Sequence, residues 1–202
     1  MVVKDLHRMK LQRLLFLIAV VMTLHGCIIG SYQPITPARE ASTDPALPGT
    51  WLPVAPPGKA ATTGPTETGY QFYHVGKHED GHGYRIQDVR LDAAGNIKNE
   101  EIIGHGSQTG DQHYLNLISK EDDKLAYILV RYTVEQDRLV LYSVNDEVYK
   151  QHLQSGLLAE DPKETGILTM PSDKLQNYIA EHGETLLSEA IGYYVRGQSL
   201  DE

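Results

Sequence analysis

Between Leu125 and Val134 apolar residues fill both phases of the chain ("LAYILVRYTV"), the pattern of a strand covered on both faces. Around it the pattern is that of a meander. Arg138–Val144 returns after the turn "EQD", and residues 113–119 alternate Leu115 and Leu117 against Tyr114, Asn116 and Ile118. Residues 97–106 form a strand ending in glycines, behind the "DAAGN" turn at Asp92–Asn96. In "YRIQDVRL", Tyr84 and Ile86 share one phase, Val89 and Leu91 the other, which predicts a bulge near Gln87-Asp88. Tyr70–Val75 and Gly49–Val54 are earlier strands, separated by a small, polar, Pro/Gly-rich loop over Ala55–Gly69. Connections this short pair neighbouring strands antiparallel.

The C-terminal quarter changes period. Asn145 caps a helix whose face carries Val148, Tyr149, His152 and Leu153, and Gly156 ends it. "GILTM" at 166–170 is a short strand. Ser172 caps a second helix, with Leu175, Tyr178, Ile179 and His182 on one side and Gly183 as its stop. Leu186, Leu187, Ala190 and Ile191 fit a further helical turn or two, and "GYYVRG" at 192–197 a last strand. The fold class is therefore mainly β with C-terminal helices. Closing the meander into a barrel removes its exposed edges, and covering an open sheet with the helices does the same.

The start of the chain follows neither period. Lys4, Arg8, Lys10 and Arg13 precede an uncharged, almost wholly apolar run, Leu14–Leu24. A membrane-spanning helix needs about 20 such residues, so this run is a secretory signal rather than a permanent span. Ile28–Pro48, with Pro34, Pro37, Pro45 and Pro48, reads as a tether. The expected organisation is a signal over 1–26, a tether over 27–48 and one β-rich domain over 49–202.

Four of the 18 Lys+Arg and one of the 27 Asp+Glu precede Cys27; the remainder carries 14 basic and 26 acidic residues, a formal charge of −12. Such a surface repels nucleic acid and anionic headgroups. Cys27 is the single cysteine, so no internal disulfide forms and stability comes from packing.

Leu24-His25-Gly26-Cys27 resembles the lipobox of bacterial lipoproteins, with His25 where a small or aliphatic residue is usual. The resemblance implies cleavage after Gly26 and acylation of Cys27; a plain signal peptide followed by a free cysteine is the alternative. Ile28, behind the cysteine, implies sorting to the outer membrane, on its periplasmic face, where the source has one. Gly49-Thr50-Trp51 ahead of a meander resembles the calycin and lipocalin barrels. There the tryptophan plugs the closed end against a late arginine, a part that Arg196 or Arg131 could take. The pattern over Gly49–Arg196 is similar to envelope lipoproteins with a lipocalin-like domain.

Candidate chemistry is sparse. His74, His78 and His82 recur every fourth residue, but Gly76, Gly81 and Gly83 oppose a helix. A hairpin could bring His74 and His82 together, with His105 or His113, as a metal site. The plainer reading is a polar turn with solvated histidines, and we expect no metal, cofactor or catalytic residue. No Gly-x-Ser-x-Gly occurs. Gly104–Gly110 ("GHGSQTG") reads as a flexible loop, and Glu100-Glu101 and Asp122-Asp123 as solvated charge. Tyr127 and Tyr132 lie on opposite phases, so at most one points inward; with Tyr142 they are packing residues or cavity walls.

The expectation is a lipid-anchored, noncatalytic binding or accessory protein. Its partners would be the membrane through Cys27, and a small apolar ligand or an envelope protein, but not nucleic acid. The alternative is a structural module of an envelope complex without a cavity; a metal-handling protein or enzyme ranks third.

Overall fold

The computed structural model describes residues 29–59, 70–79, 81–121 and 124–197. Cys27 and the signal reading of 1–26 lie outside the described residues, as do Asp80, Asp122 and Asp123. No helix among the described residues is long and apolar enough to cross a membrane.

Eight strands close an antiparallel barrel. They are β2 (Gly49–Val54), β3 (Tyr70–Lys77), β4 (Tyr84–Leu91), β5 (Ile97–Thr109), β6 (Gln112–Glu121), β7 (Lys124–Glu135), β8 (Arg138–Ser143) and β11 (Glu189–Arg196). Each of β2 to β7 pairs with the next, β8 pairs with β11, and β11 pairs back onto β2. Of the two ways of hiding sheet edges, the chain uses closure. The expected lipocalin-like architecture is the one observed.

Between β8 and β11 come α1 (Asp146–Gln154), β9 (Glu160–Asp161), β10 (Glu164–Leu168) and α2 (Ser172–Leu186). Asn145 caps α1 as its sequence requires, its side chain accepting from the amides of Glu147 and Val148. For α2 the capping residue is Pro171, not Ser172, whose hydroxyl donates instead to the Pro34 carbonyl at 3.0 Å. Nor does Gly183 stop α2: a Cβ there would stand 2.5 Å from the Tyr114 hydroxyl, so this glycine permits close helix-to-barrel approach. Ala190 and Ile191, expected as helix, belong to β11.

Two cores result. One fills the barrel with Leu47, Trp51, Val75, Tyr84, Ile86, Leu115, Val130, Tyr132 and Leu139. The other lies between the outer face of β6–β7 and the helices, built on Tyr114, Leu129, Tyr149, Leu175, Tyr178 and Ile179. Strand β7 serves both, sending Val130 and Tyr132 inward and Leu129 outward. That is why its sequence is apolar on both phases.

The tether expected over residues 27–48 is instead part of the domain from Ile29 on. Gly30 and Ser31 (β1) pair antiparallel with β7 and parallel with β10. Ile29, Ile35 and Leu47 are buried. This strap then crosses the outside of β6 and β5. Being proline-rich and irregular, it cannot satisfy its own backbone, and buried side chains do so. The Ile35 amide donates to Asn116 Oδ1 at 2.8 Å, the His105 ring meets the Thr36 carbonyl at 3.0 Å, and the Asp44 amide donates to the Tyr84 hydroxyl at 2.5 Å.

Two expectations about strands also change. Strand β4 has no bulge: its register with β3 runs unbroken from Lys77–Tyr84 to Tyr70–Leu91. Gly104–Gly110 is mostly strand, since β5 continues to Thr109, pairing with β4 up to Gly104 and with β6 from there on. The glycines allow the bend. A Cβ on Gly104 would lie 3.0 Å from the Asn116 carbonyl oxygen, and one on Gly106 would lie 2.2 Å from that of Ser42.

Candidate binding site at the barrel mouth

One end of the barrel is sealed. Trp51 is fully buried, and its indole N–H donates to the Leu47 carbonyl at 2.8 Å. The Arg196 guanidinium lies 4.4 Å from the Trp51 ring centroid and donates to the carbonyls of Pro48 and Ala46. Arg196 is thus the late arginine. Arg131 sits on the outer wall over Tyr142, at 3.9 Å, donating to the Leu187 carbonyl and to Gln112.

Towards the other end, the inward-facing side chains of the barrel core become partly exposed: Ile102, Leu117, Ile128 and Leu141, with Tyr73 and Tyr194. Opposite this apolar wall stands a polar corner. Continuing the inward phase of Tyr84 and Ile86 along β4 brings Asp88 and then Arg90 inside. Asp88 is only 4% exposed. It accepts from Arg90 Nε at 3.2 and 3.0 Å, from Arg90 Nη2, and from Gln71 Nε2 at 2.9 Å. Gln71 Nε2 also donates to the Tyr73 hydroxyl at 2.8 Å, and the Tyr73 ring meets Tyr194 edge-on at 5.5 Å. The corner therefore runs from β4 through β3 to β11.

Its electrostatics follow from this pairing. The hydrogen bonds it donates to Asp88 hold the Arg90 guanidinium firmly charged, despite its partial burial. Burial, then the neighbouring Tyr194, raises the Tyr73 phenol well above the ordinary tyrosine range. Burial pushes Tyr194 up to about 12. Both are neutral hydroxyls at physiological pH, able to donate and accept hydrogen bonds.

On the outside of the same end the polarity is reversed. Tyr70, Leu91 and Ile97 form one cross-strand row, and Phe72 and Val89 the next. The phase switch in "YRIQDVRL" thus reflects a change in which face is apolar, at constant register. A separate groove of about 610 Å³ lies on the outer wall, lined by Val54, Thr133, Arg138, Val140, Tyr142 and Tyr193 among others.

The residues singled out from sequence are dispersed. His74 faces outward, with Nδ1 at 3.1 Å from the Thr50 hydroxyl oxygen. His78 and His82 belong to the β3–β4 turn, closed by the His78 amide donating to the Gly83 carbonyl at 2.8 Å. His105 lies under the strap, and His113 stands 3.9 Å from Asp44 beside Tyr132. Among the described residues no group of three or more His, Cys, Asp or Glu side chains is placed to hold a metal ion. Glu100 and Glu101 are exposed on β5, Glu101 paired with Arg85 at 3.0 Å. Tyr132 points into the barrel, Tyr127 packs under the helices and Tyr142 lines the outer groove. The corner of Gln71, Tyr73, Asp88, Arg90 and Tyr194 was not singled out. Its signal was the unbroken alternation Tyr84-Ile86-Asp88-Arg90, masked by the greasier Val89 and Leu91.

No protein-family model matches the sequence, and no curated protein or solved structure matches the chain.

Proposed function

We propose that this is a lipid-anchored envelope lipoprotein whose barrel binds a small amphiphilic molecule at its open mouth, without catalysing a reaction on it. One observation carries the reading. Inside a barrel sealed at its floor, partly exposed apolar side chains face a hydrogen-bonded polar corner, the composition of a small-molecule site. The polar groups there are engaged with one another, and burial keeps both phenols protonated, which suits recognition better than proton transfer. Anchoring rests on the lipobox resemblance at Cys27. Two acyl chains or more, at about 0.8 kcal/mol per buried CH₂, would hold an acidic domain at a bilayer that its own surface does not attract.

The test is displacement of a polarity-sensitive apolar dye from the purified full-length protein. We expect one dye per barrel, and loss of binding when Ile128→Trp and Leu141→Trp fill the mouth. Dye binding unchanged in that double variant would reject the mouth as the site. A second reading, a docking module of an envelope complex, is favoured by the outer groove, beside which Leu52 and Val54 are exposed. Loss of a stoichiometric protein partner from a Val140→Lys variant that still binds dye would support it.

A further inference from the structure

The polar corner carries information about the charge of what it takes. Its cation, the partly buried Arg90, is bound by two nitrogens to Asp88, and Asp88 also receives Gln71. The guanidinium plane is therefore already matched to a carboxylate supplied by the protein. Glu100, directly across β5 from Asp88, adds a second negative charge that acts on Arg90. An incoming carboxylate or phosphate would meet an Arg90 whose charge is already balanced, with two carboxylates beside it. An incoming ammonium would meet Arg90 itself. A carboxylate or phosphate would leave water without a free counter-charge, and an ammonium would find one only in Glu100, which is exposed and screened by water rather than inside the corner.

What the corner offers instead is neutral. Gln71 donates to the Tyr73 hydroxyl, and the Tyr73 ring in turn meets that of Tyr194 edge-on at 5.5 Å. The Tyr194 hydroxyl lies over Gly192, which pairs with Leu141, so this row of neutral groups ends at the apolar wall to which Leu117, Ile128 and Leu141 belong. We propose that the mouth selects an uncharged amphiphile, such as an ester, amide or alcohol, whose acceptor oxygen takes the Tyr194 hydroxyl while its chain lies against that wall. Asp88 acts as the filter, by occupying the arginine that an anionic lipid would otherwise use. This rests on the mouth-binding reading and adds the ligand's charge class to it.

The experiment uses the full-length protein in phosphatidylcholine vesicles. Three photoactivatable twelve-carbon diazirine probes, matched except for their heads, carry a glycerol ester, a carboxylate or an ammonium. Crosslinks are mapped by peptide mass spectrometry. The glycerol ester should label β5, β6 and β7 at the mouth about tenfold more than either charged probe, a difference of about 1.4 kcal/mol. Asp88→Asn, which releases Arg90, should raise carboxylate labelling about tenfold. Tyr194→Phe should lower glycerol-ester labelling and leave the carboxylate unaffected, so the proposal stays testable even where Asp88→Asn unfolds. Carboxylate labelling equal to the ester in the unsubstituted protein, or unmoved by a folded Asp88→Asn, would overturn the charge filter while leaving the mouth as a site. Absence of mouth labelling by all three probes would instead remove the binding reading, and this inference with it.

Discussion

Trp51 and Arg196 show how two residues close one end of a barrel. The tryptophan fills the floor, and the arginine covers its ring while tying down the carbonyls of the strap at Ala46 and Pro48. Trp51→Ala should cost about 3–5 kcal/mol in chemical denaturation, the range for emptying a large buried aromatic site. Asn116 works differently. Its side chain accepts from Ile35 and donates to Ser107 and to the His105 carbonyl. Asn116→Leu leaves the Ile35 amide unpaired and should cost about 1–3 kcal/mol, with faster hydrogen exchange confined first to the strap. The first of these roles was legible: Gly49-Thr50-Trp51 marks the floor, and Arg196 was one of two candidates for its partner. The second was not. A buried asparagine on an otherwise alternating strand reads as a solvent-facing residue until the strap that covers it is known.

Among the elements, period was a good guide to type and a poor guide to ends. The helix faces were read correctly, Tyr149 and His152 on α1 and Tyr178 and His182 on α2, and these faces meet. What one-dimensional periodicity could not supply was the result of the meeting. His152 Nδ1 contacts the Tyr178 hydroxyl, and the two imidazoles meet edge-on at 5.0 Å between centroids, with Glu181 3.7 Å from His182. Burial, and next the charge of His182, hold the His152 pKa below the ordinary imidazole value of about 6.5. A depressed imidazole means that the unfolded chain takes up the proton first. Stability is therefore complete above about pH 6.5 and falls as the pH drops below it. Denaturation midpoints at pH 7.5 and 5.0 should show this fall, and His182→Gln, which removes the second cation, should lessen it. A fall unchanged in His182→Gln would leave burial of His152 as its sole cause, and a fall unchanged in His152→Gln would place the acid sensitivity elsewhere. In the barrel, the limits of period show at β4 and β5. Asp88 and Arg90 look like surface residues because polarity usually marks the outside, and here it marks the inside. The glycines of β5 look like a loop because the close approaches that require them come from Asn116 on the next strand and from Ser42, far away in sequence.

At the scale of the whole molecule, the strap alters what an anchor on Cys27 would do. The expected tether would have let the domain stand clear of headgroups. With Ile29 already buried, one residue separates the acylation position from the packed domain, which an acyl group there would hold close to the bilayer. Cys27→Ser should abolish labelling by a fatty-acid analogue while leaving the folded barrel intact, as read by the near-ultraviolet signal of Trp51. Label persisting on that variant would exclude the lipobox reading. The formal charge of −12 over residues 27–202 is consistent with a domain that depends on such an anchor, and it leaves the binding of uncharged amphiphiles unopposed. The central claim is that the open end of this barrel is an occupied site. Mass spectrometry under non-denaturing conditions of the protein extracted from its native source tests it most directly. We predict a single uncharged small amphiphile retained at one per chain, and its loss from the Ile128→Trp, Leu141→Trp variant. A chain that carries no small molecule, or one retained equally by that variant, would contradict it.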